Sequence, residues 1–174
     1  NLLSPGPGVG GPCLPKDPYL LLNPQGQGPI TSKLIIDSRH INDKMPEHIV
    51  KLITDALTDN SKSLAKSTIL VLGVAYKANV NDTRYSPAKE IITSLKTKNC
   101  TVYVHDPFSQ ESFGGIFVSN IWEISDDIDV IVVITDHSEF RHMDLKKLRQ
   151  KSKTDLILLD TRRIFDHKQA EDLR

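Results

Sequence analysis

A chain of 174 residues carrying 22 basic and 22 acidic side chains suits one domain with an appendage. Its balanced charge excludes the electrostatic footprint of a nucleic-acid binder or of a protein drawn to an anionic membrane surface. No apolar run approaches a membrane span, the first residues lack the charged and apolar regions of a secretory signal, and two cysteines make no disulfide framework, so a reducing, cytoplasmic setting is expected.

Residues 1–29 hold seven of the ten prolines and six of the nine glycines. A stretch that long with little regular structure is unusual inside a compact domain unless it is functional or detached from its packing partner. Together with the unremarkable start at Asn1, this suggests a piece of a longer protein. Within it, Ser4-Pro5-Gly6-Pro7-Gly8-Val9-Gly10-Gly11-Pro12-Cys13-Leu14-Pro15-Lys16-Asp17 places one thiol at the end of a glycine-rich loop. Glycines let a backbone pass close to a ligand, and prolines stiffen the loop. A thiol attacks as its thiolate, which a nearby cation favours. Lys16 is therefore a candidate activator, and Asp17 a candidate base for a water that attacks later. An isolated cysteine in such a loop is ordinarily inert, but here a cation and a carboxylate follow within four residues. Gly6, Gly8 and Gly11 also fit G-x-G-x-x-G, yet that fingerprint has meaning only after a strand and at the start of a helix. Pro7 and Pro12 rule out the helix, and the dinucleotide reading of this loop is rejected.

From Thr31 the apolar spacing becomes helical through Leu34, Ile35, Ile41, Ile49, Val50, Ile53, Ala56 and Leu57. Met45-Pro46 should break it, giving two helices or one broken helix over about 31–45 and 47–58. Thr68–Leu72 is a β-branched apolar run that ends at Gly73. A helix over 86–98 follows, with Ser86 as N-cap and Pro87 at its first position. Thr101–His105 is the next strand, with Cys100 a buried thiol leading into it. A weaker strand is expected at Ile116–Ser119, a strong one at Asp129–Thr135, a helix at about 144–151 and a last strand at Asp155–Leu159. Continuous apolar runs such as Val130–Ile134 read as buried parallel strands. The order implies an α/β fold, a Rossmann-like doubly wound parallel sheet. It is preceded by a loop segment (1–30) and central helices (31–60), with the sheet domain over 61–174.

Ligands of doubly wound sheets bind beyond the carboxyl ends of the strands. There the sequence places Tyr76-Lys77, Asp106, Asp136-His137 and Arg162-Arg163. Lys77 and Arg162 could meet across the switch point and clamp a diphosphate, Arg as a bidentate fork and Lys as a point charge. Ordinary solvated loop charges are the alternative. The turn after Gly73 has no glycine pair for close pyrophosphate approach, so its ligand need not be a dinucleotide. Asp82 and Arg84 read as a local ion pair at a helix entrance. Asp106 and His137 receive no role, and His105, His142 and His167 share no metal-ligand spacing, so no metal is expected.

Residues 5–17 match P-G-x-G-x-G-G-x-C-x-x-x-D throughout. A second signature, G-x-A-[FY]-K with D-x-R and S-P, runs through Gly73, Ala75, Tyr76, Lys77, Asp82, Arg84, Ser86 and Pro87. A third is the arginine in Asp160-Thr161-Arg162-Arg163-Ile164-Phe165. On these motifs the chain resembles the nucleotide-sugar 6-dehydrogenases, over roughly the C-terminal two fifths of a typical member. The resemblance implies an NAD-dependent, four-electron oxidation of a UDP-sugar C6 alcohol to a carboxylate through a thiohemiacetal and a thioester on Cys13. Lys16 and Asp17 would assist; Gly8, Gly10, Gly11, Tyr76, Lys77 and Arg162 would hold the UDP-sugar; Arg84 would reach NAD bound by an N-terminal domain absent here. The central helices would build a homodimer. Arg39–Pro46 and Asn81–Pro87 look more like the N-acetylhexosamine branch (UDP-N-acetylmannosamine or UDP-N-acetylglucosamine) than the UDP-glucose branch, which stays the alternative, as does a UDP-sugar-binding and dimerisation module without turnover.

Overall fold

Thr68–Leu72 (β1) is apolar at every position but its first because both of its faces are covered. In the computed structural model, which describes residues 4–20, 22, 30–150 and 155–166, β1 is the centre of a parallel sheet. On one side it pairs with Thr101–His105 (β2) in the register Ile69↔Val102, and on the other with Val130–Val133 (β4) in the register Ile69↔Val130. Ile116–Phe117 (β3) adds to β2, and Ile157–Asp160 (β5) adds to β4. The strand order is therefore β3-β2-β1-β4-β5, the doubly wound arrangement expected, with its switch point between β1 and β4.

Helices among the described residues include a short α1 (Asp17–Leu20), α2 (Ile30–Asp43), α3 (Met45–Asp59) and α4 (Pro87–Thr97). A one-turn α5 (Leu145–Arg149) is capped by the Asp144 carboxylate, which accepts from the amides of Lys146 and Lys147. Ser86 caps α4 as expected, its hydroxyl accepting from the Ala88 amide at 3.3 Å. Alternate residues of the strands feed two cores. Ile69, Val71, Val102, Val104, Val130 and Val132 face α3 and α4, whereas Leu70, Leu72, Ile131 and Val133 face Ile121, Ile128, Phe140 and Leu148.

Several expected boundaries shift. Pro46 does not separate two helices at its own position. It lies in the first turn of α3, where the amide it lacks has no helical partner to lose, and the break falls at Lys44. The strand expected at 116–119 shortens to Ile116–Phe117, and that at 129–135 to Val130–Val133. β5 begins and ends later than expected, at Ile157 and Asp160. The apolar stripe expected over 31–58 also divides. Ile49, Val50, Ile53 and Leu57 of α3 are core against the sheet, whereas Leu34 and Ile41 of α2 are exposed at 67% and 68%.

Because Ile53 is fully buried between α3 and the sheet, Ile53→Ala should destabilise the chain by about 2–5 kcal/mol through lost burial and the cavity left behind. Denaturant unfolding followed by circular dichroism measures this. A loss below about 1 kcal/mol would show that α3 does not unfold with the sheet.

Candidate functional site

The glycine-rich loop does not hang free of the sheet domain. Its Gly11 amide donates to the Arg84 carbonyl at 2.9 Å, and its Val9 amide to the Asn42 side-chain oxygen near the end of α2 at 3.0 Å. Pro7, Gly10 and Gly11 are buried, and Gly8 lies against Pro87 at the start of α4. Two glycines are required by this contact. A side chain on Gly10 would come within 2.9 Å of the Tyr76 Cβ, and one on Gly11 within 2.8 Å of the Tyr76 ring. Gly11 moreover adopts φ +91°, a region that disfavours residues with a Cβ. Half-buried Tyr76 is thus the floor on which the loop rests.

Cys13 emerges exposed at the end of that loop. Its carbonyl accepts from the amides of Lys16 (3.0 Å) and Asp17 (2.8 Å), so the chain turns into α1 directly after the thiol. The same turn brings the Lys16 ammonium to 2.6 Å from the Asp17 carboxylate. That hydrogen bond and charge hold the Lys16 pKa above its ordinary value, and Cys13 and Tyr85 contribute in the same direction to a smaller degree. Arg84 is likewise raised, first by its hydrogen bond to Asp82 and then by the Asp82 charge, with smaller contributions from Tyr76 and Cys13. The thiol therefore sits within electrostatic reach of two cations, each already engaged by its own carboxylate. Arg84 grips Asp82 through Nε at 3.0 Å and Nη2 at 2.6 Å, the local ion pair read from the sequence.

The cations proposed for a diphosphate divide differently. Lys77 is exposed and, among the described residues, forms no ion pair. Arg162, just beyond β5, donates from Nε (3.1 Å) and Nη2 (2.9 Å) to one oxygen of Asp136 beyond β4, and its guanidinium packs on Gly6 of the thiol loop. Arg162 is therefore part of the same surface as the loop. Among the described residues no group of three or more His, Cys, Asp or Glu is arranged to hold a metal ion.

Sequence reasoning left Asp106 and His137 without a role, and the structure gives them one interior network. Asp106 is 3% exposed and His137 fully buried. One Asp106 oxygen accepts from the amides of Val74 (2.7 Å) and Ala75 (3.1 Å) and from His137 Nε2 (3.0 Å). The other accepts from Phe108 (2.8 Å) and Ser109 (3.0 Å). His137 Nδ1 accepts from the Asn79 amide at 2.9 Å, so the ring carries its proton on Nε2. Its ring stacks on Phe108 and meets Phe140 in a T-shaped contact. Burial pushes the Asp106 carboxyl up, but the hydrogen bonds from His137, Val74 and Phe108 outweigh it and hold the group well below the usual carboxylate range.

Residues 70–167 match the UDP-glucose/GDP-mannose dehydrogenase family, UDP binding domain, and residues 1–44 match the central domain of the same family. The chain is 35% identical over 172 residues to the UDP-N-acetyl-D-mannosamine dehydrogenase of Methanococcus vannielii, covering 96% of this chain and 38% of that one. Among solved structures it is similar to a UDP-D-ManNAc dehydrogenase from Pyrococcus horikoshii, with a TM-score of 0.81, 32% identity, and coverage of 96% of this chain and 38% of that one. It is also similar to an NDP-N-acetyl-D-galactosaminuronic acid dehydrogenase from Methanosarcina mazei Go1, with a TM-score of 0.88, 27% identity, and coverage of 99% and 38%. The chain thus spans 38% of the length of each of these relatives.

Two outcomes are expected from this geometry. Brief iodoacetamide treatment should label Cys13 ahead of Cys100, because burial pushes the Cys100 thiol pKa up and its Sγ donates to the Leu64 carbonyl. Peptide mass spectrometry reads the ratio, and equal labelling would overturn the assignment of the reactive thiol. The second concerns acid. A carboxyl whose native pKa is depressed contributes stability that is fully present above its unfolded pKa, near 3.9, and is lost as pH falls through the native value. Thermal midpoints should therefore drop as pH falls below about 4, and Asp106→Asn should flatten that limb while lowering the midpoint at neutral pH. An unchanged acid limb in the variant would remove Asp106 as its source.

Proposed function

This chain belongs to the UDP-glucose/GDP-mannose dehydrogenase family, and on that premise we propose that it supplies the thiol loop and nucleotide site of an NAD-dependent UDP-N-acetylhexosamine 6-dehydrogenase. The observation that carries the reading is the docking of the loop. The Gly11–Arg84 hydrogen bond and the packing of Arg162 on Gly6 bring Cys13, Tyr76 and the Arg162 cation into one surface at the carboxyl ends of the strands. Relatives named for N-acetylated sugars favour that branch over UDP-glucose.

In this reading Lys77 and Arg162 take the diphosphate of the UDP-sugar, with Arg162 exchanging an Asp136 oxygen for a phosphate oxygen. The sugar C6 then lies toward Cys13, over the loop amides. The thiolate adds to an aldehyde carbon at C6, forming an S–C bond while the carbonyl electron pair moves to oxygen and takes up a proton. Once two hydrides have left C6, the first from the alcohol to give the aldehyde and the second from the thiohemiacetal carbon, that carbon is a thioester. Water adds to it, the S–C bond breaks, and the thiolate leaves a carboxylate behind. Asp17 accepts the water proton once it is released from Lys16, whose charge then favours the departing thiolate.

The hydride acceptor that the family implies is NAD, and the turn after β1 does not fit it. The amides of Val74 and Ala75 already donate to Asp106, and no helix begins until Pro87, so the amide-and-helix cradle of a dinucleotide site is not offered. Arg84 is the side chain of this chain assigned to meet NAD held by other residues. Exposed Leu34 and Ile41 of α2 are assigned to a homodimer contact, and the setting is cytoplasmic; among the described residues no helix is long and apolar enough to cross a membrane.

Titration calorimetry on this chain should show UDP binding more tightly than NAD. Removing one partner of a charged contact costs about 1.5–3 kcal/mol, so Arg162→Ala should weaken UDP by about ten- to a hundredfold. Unchanged UDP affinity in that variant would refute the nucleotide site proposed here.

A further inference from the structure

The buried pair Asp106–His137 lies outside the reaction just described, yet it is built into the turn that carries two of the proposed nucleotide contacts. A carboxylate inside a protein is tolerated only when its lone pairs are met by donors. Two of the Asp106 donors, the amides of Val74 and Ala75, belong to the turn after β1. In doubly wound folds that turn points its amides at a bound phosphate. Here they point at a side chain of the same protein, brought by the end of β2.

The turn is held at a second place through the same pair. His137 receives the Asn79 amide on Nδ1 and passes its Nε2 proton toward Asp106. The Asn79 side-chain oxygen in turn accepts from the Ser138 amide (3.0 Å) and hydroxyl (2.9 Å). Asn79 adopts φ +60°, a conformation that this double attachment holds in place. Residues 74–75 and 79 are thus pinned on either side of Tyr76 and Lys77, and Tyr76 supports Gly10 and Gly11 of the thiol loop.

We propose that Asp106 is a resident anion of the turn after β1 and a positioning residue of the nucleotide site. Its carboxylate takes the place a bound phosphate would hold on the turn amides. Through His137 and Asn79 it fixes Tyr76 and Lys77 in the geometry that receives the UDP-sugar. The second half of this statement rests on the nucleotide site proposed above; the first half stands on the hydrogen bonds alone.

Truncation combined with chemical rescue tests it. Asp106→Ala removes the equivalent of a formate ion, so formate is the probe, with chloride at equal ionic strength as the control. At neutral pH and a temperature where the variant is folded, UDP affinity should fall by about tenfold or more. Formate should restore both that affinity and the thermal midpoint, chloride should restore neither, and the wild-type chain should respond to both salts alike. Formate acting no better than chloride would overturn the resident anion. Wild-type UDP affinity in folded Asp106→Ala would overturn the positioning role. If the alanine variant does not fold, Asp106→Asn, which keeps the shape and loses the charge, decides the positioning role in the same titration, wild-type affinity again overturning it. Should the wild-type chain itself fail to bind UDP, the proposed nucleotide site fails, while formate rescue of the midpoint still decides the resident anion.

Discussion

A charged carboxylate in the interior must draw donors from whatever backbone lies near it, and Asp106 draws them from three strand ends at once. Val74 and Ala75 follow β1, Phe108 and Ser109 follow β2, and His137 follows β4. Removing a donor from such a group costs more than an average hydrogen bond, because the charge that remains is buried and unmatched. The three loops are therefore not independent. The order of the loops continues outward by packing: the β1 turn sets Tyr76, Tyr76 fits the two glycines above it, and the glycine loop delivers Cys13. The exposed thiol thus inherits its position from an interaction deep in the domain.

The charges at the surface of the site follow a different rule. Arg84 and Arg162 are each engaged by a carboxylate, and so is Lys16. Such pairs near water are individually weak and exchange readily for a phosphate or a carboxylate brought by a ligand. Their value lies in orientation. Asp136 holds the Arg162 fork on Gly6, at the edge of the thiol loop, and Asp82 holds the side chain of Arg84, the residue whose own carbonyl accepts from the Gly11 amide. The interior network is buried and fully paired, whereas the outer ion pairs lie partly in solvent.

How far the sequence showed this depends on the range over which each feature is decided. β1 was legible to the residue as the continuous apolar run of a strand buried on both faces, and β2 as a short β-rich stretch with alternating burial, with Gly73 and Asp106-Pro107 ending the two sharply. α4 was legible from Ser86-Pro87, a cap and a first-turn proline that act within one turn. The break between α2 and α3 was misplaced because Pro46 was read as an interruption, whereas a proline in the first turn of a helix loses no bond. The reach of β3 was overstated, since only Ile116 and Phe117 find partners on β2. Within the site, the loop motif and the terminal arginine were visible as patterns. The opposing roles read for Lys16 and Asp17 did not reveal that the Cys13 carbonyl turns both amides together and closes the pair. Asp106 and His137 stood in the right places, at strand ends, and Phe108 and Ser109 are local partners of Asp106, but the partners that join the two residues to the β1 turn lie 31 and 58 residues away. No local period or spacing encodes a contact of that kind.

Two arrangements follow from one sheet topology. A doubly wound domain ordinarily presents backbone amides to a phosphate after its first strand, and the amide donors make recognition insensitive to side-chain identity. In this chain the Asp106 carboxylate has taken the amides of Val74 and Ala75, so the diphosphate of the proposed site is left to side chains from the flanking loops. Cations on flexible stems recognise charge, and a planar guanidinium adds direction. The proposed nucleotide site consequently depends on Lys77 beyond β1 and Arg162 beyond β5, on opposite sides of β4 in the sheet. Because Arg162 also packs on Gly6, the guanidinium of the proposed nucleotide site and the thiol loop share one contact at the surface, while the Asp106 carboxylate stays buried beneath them with each oxygen met by donors.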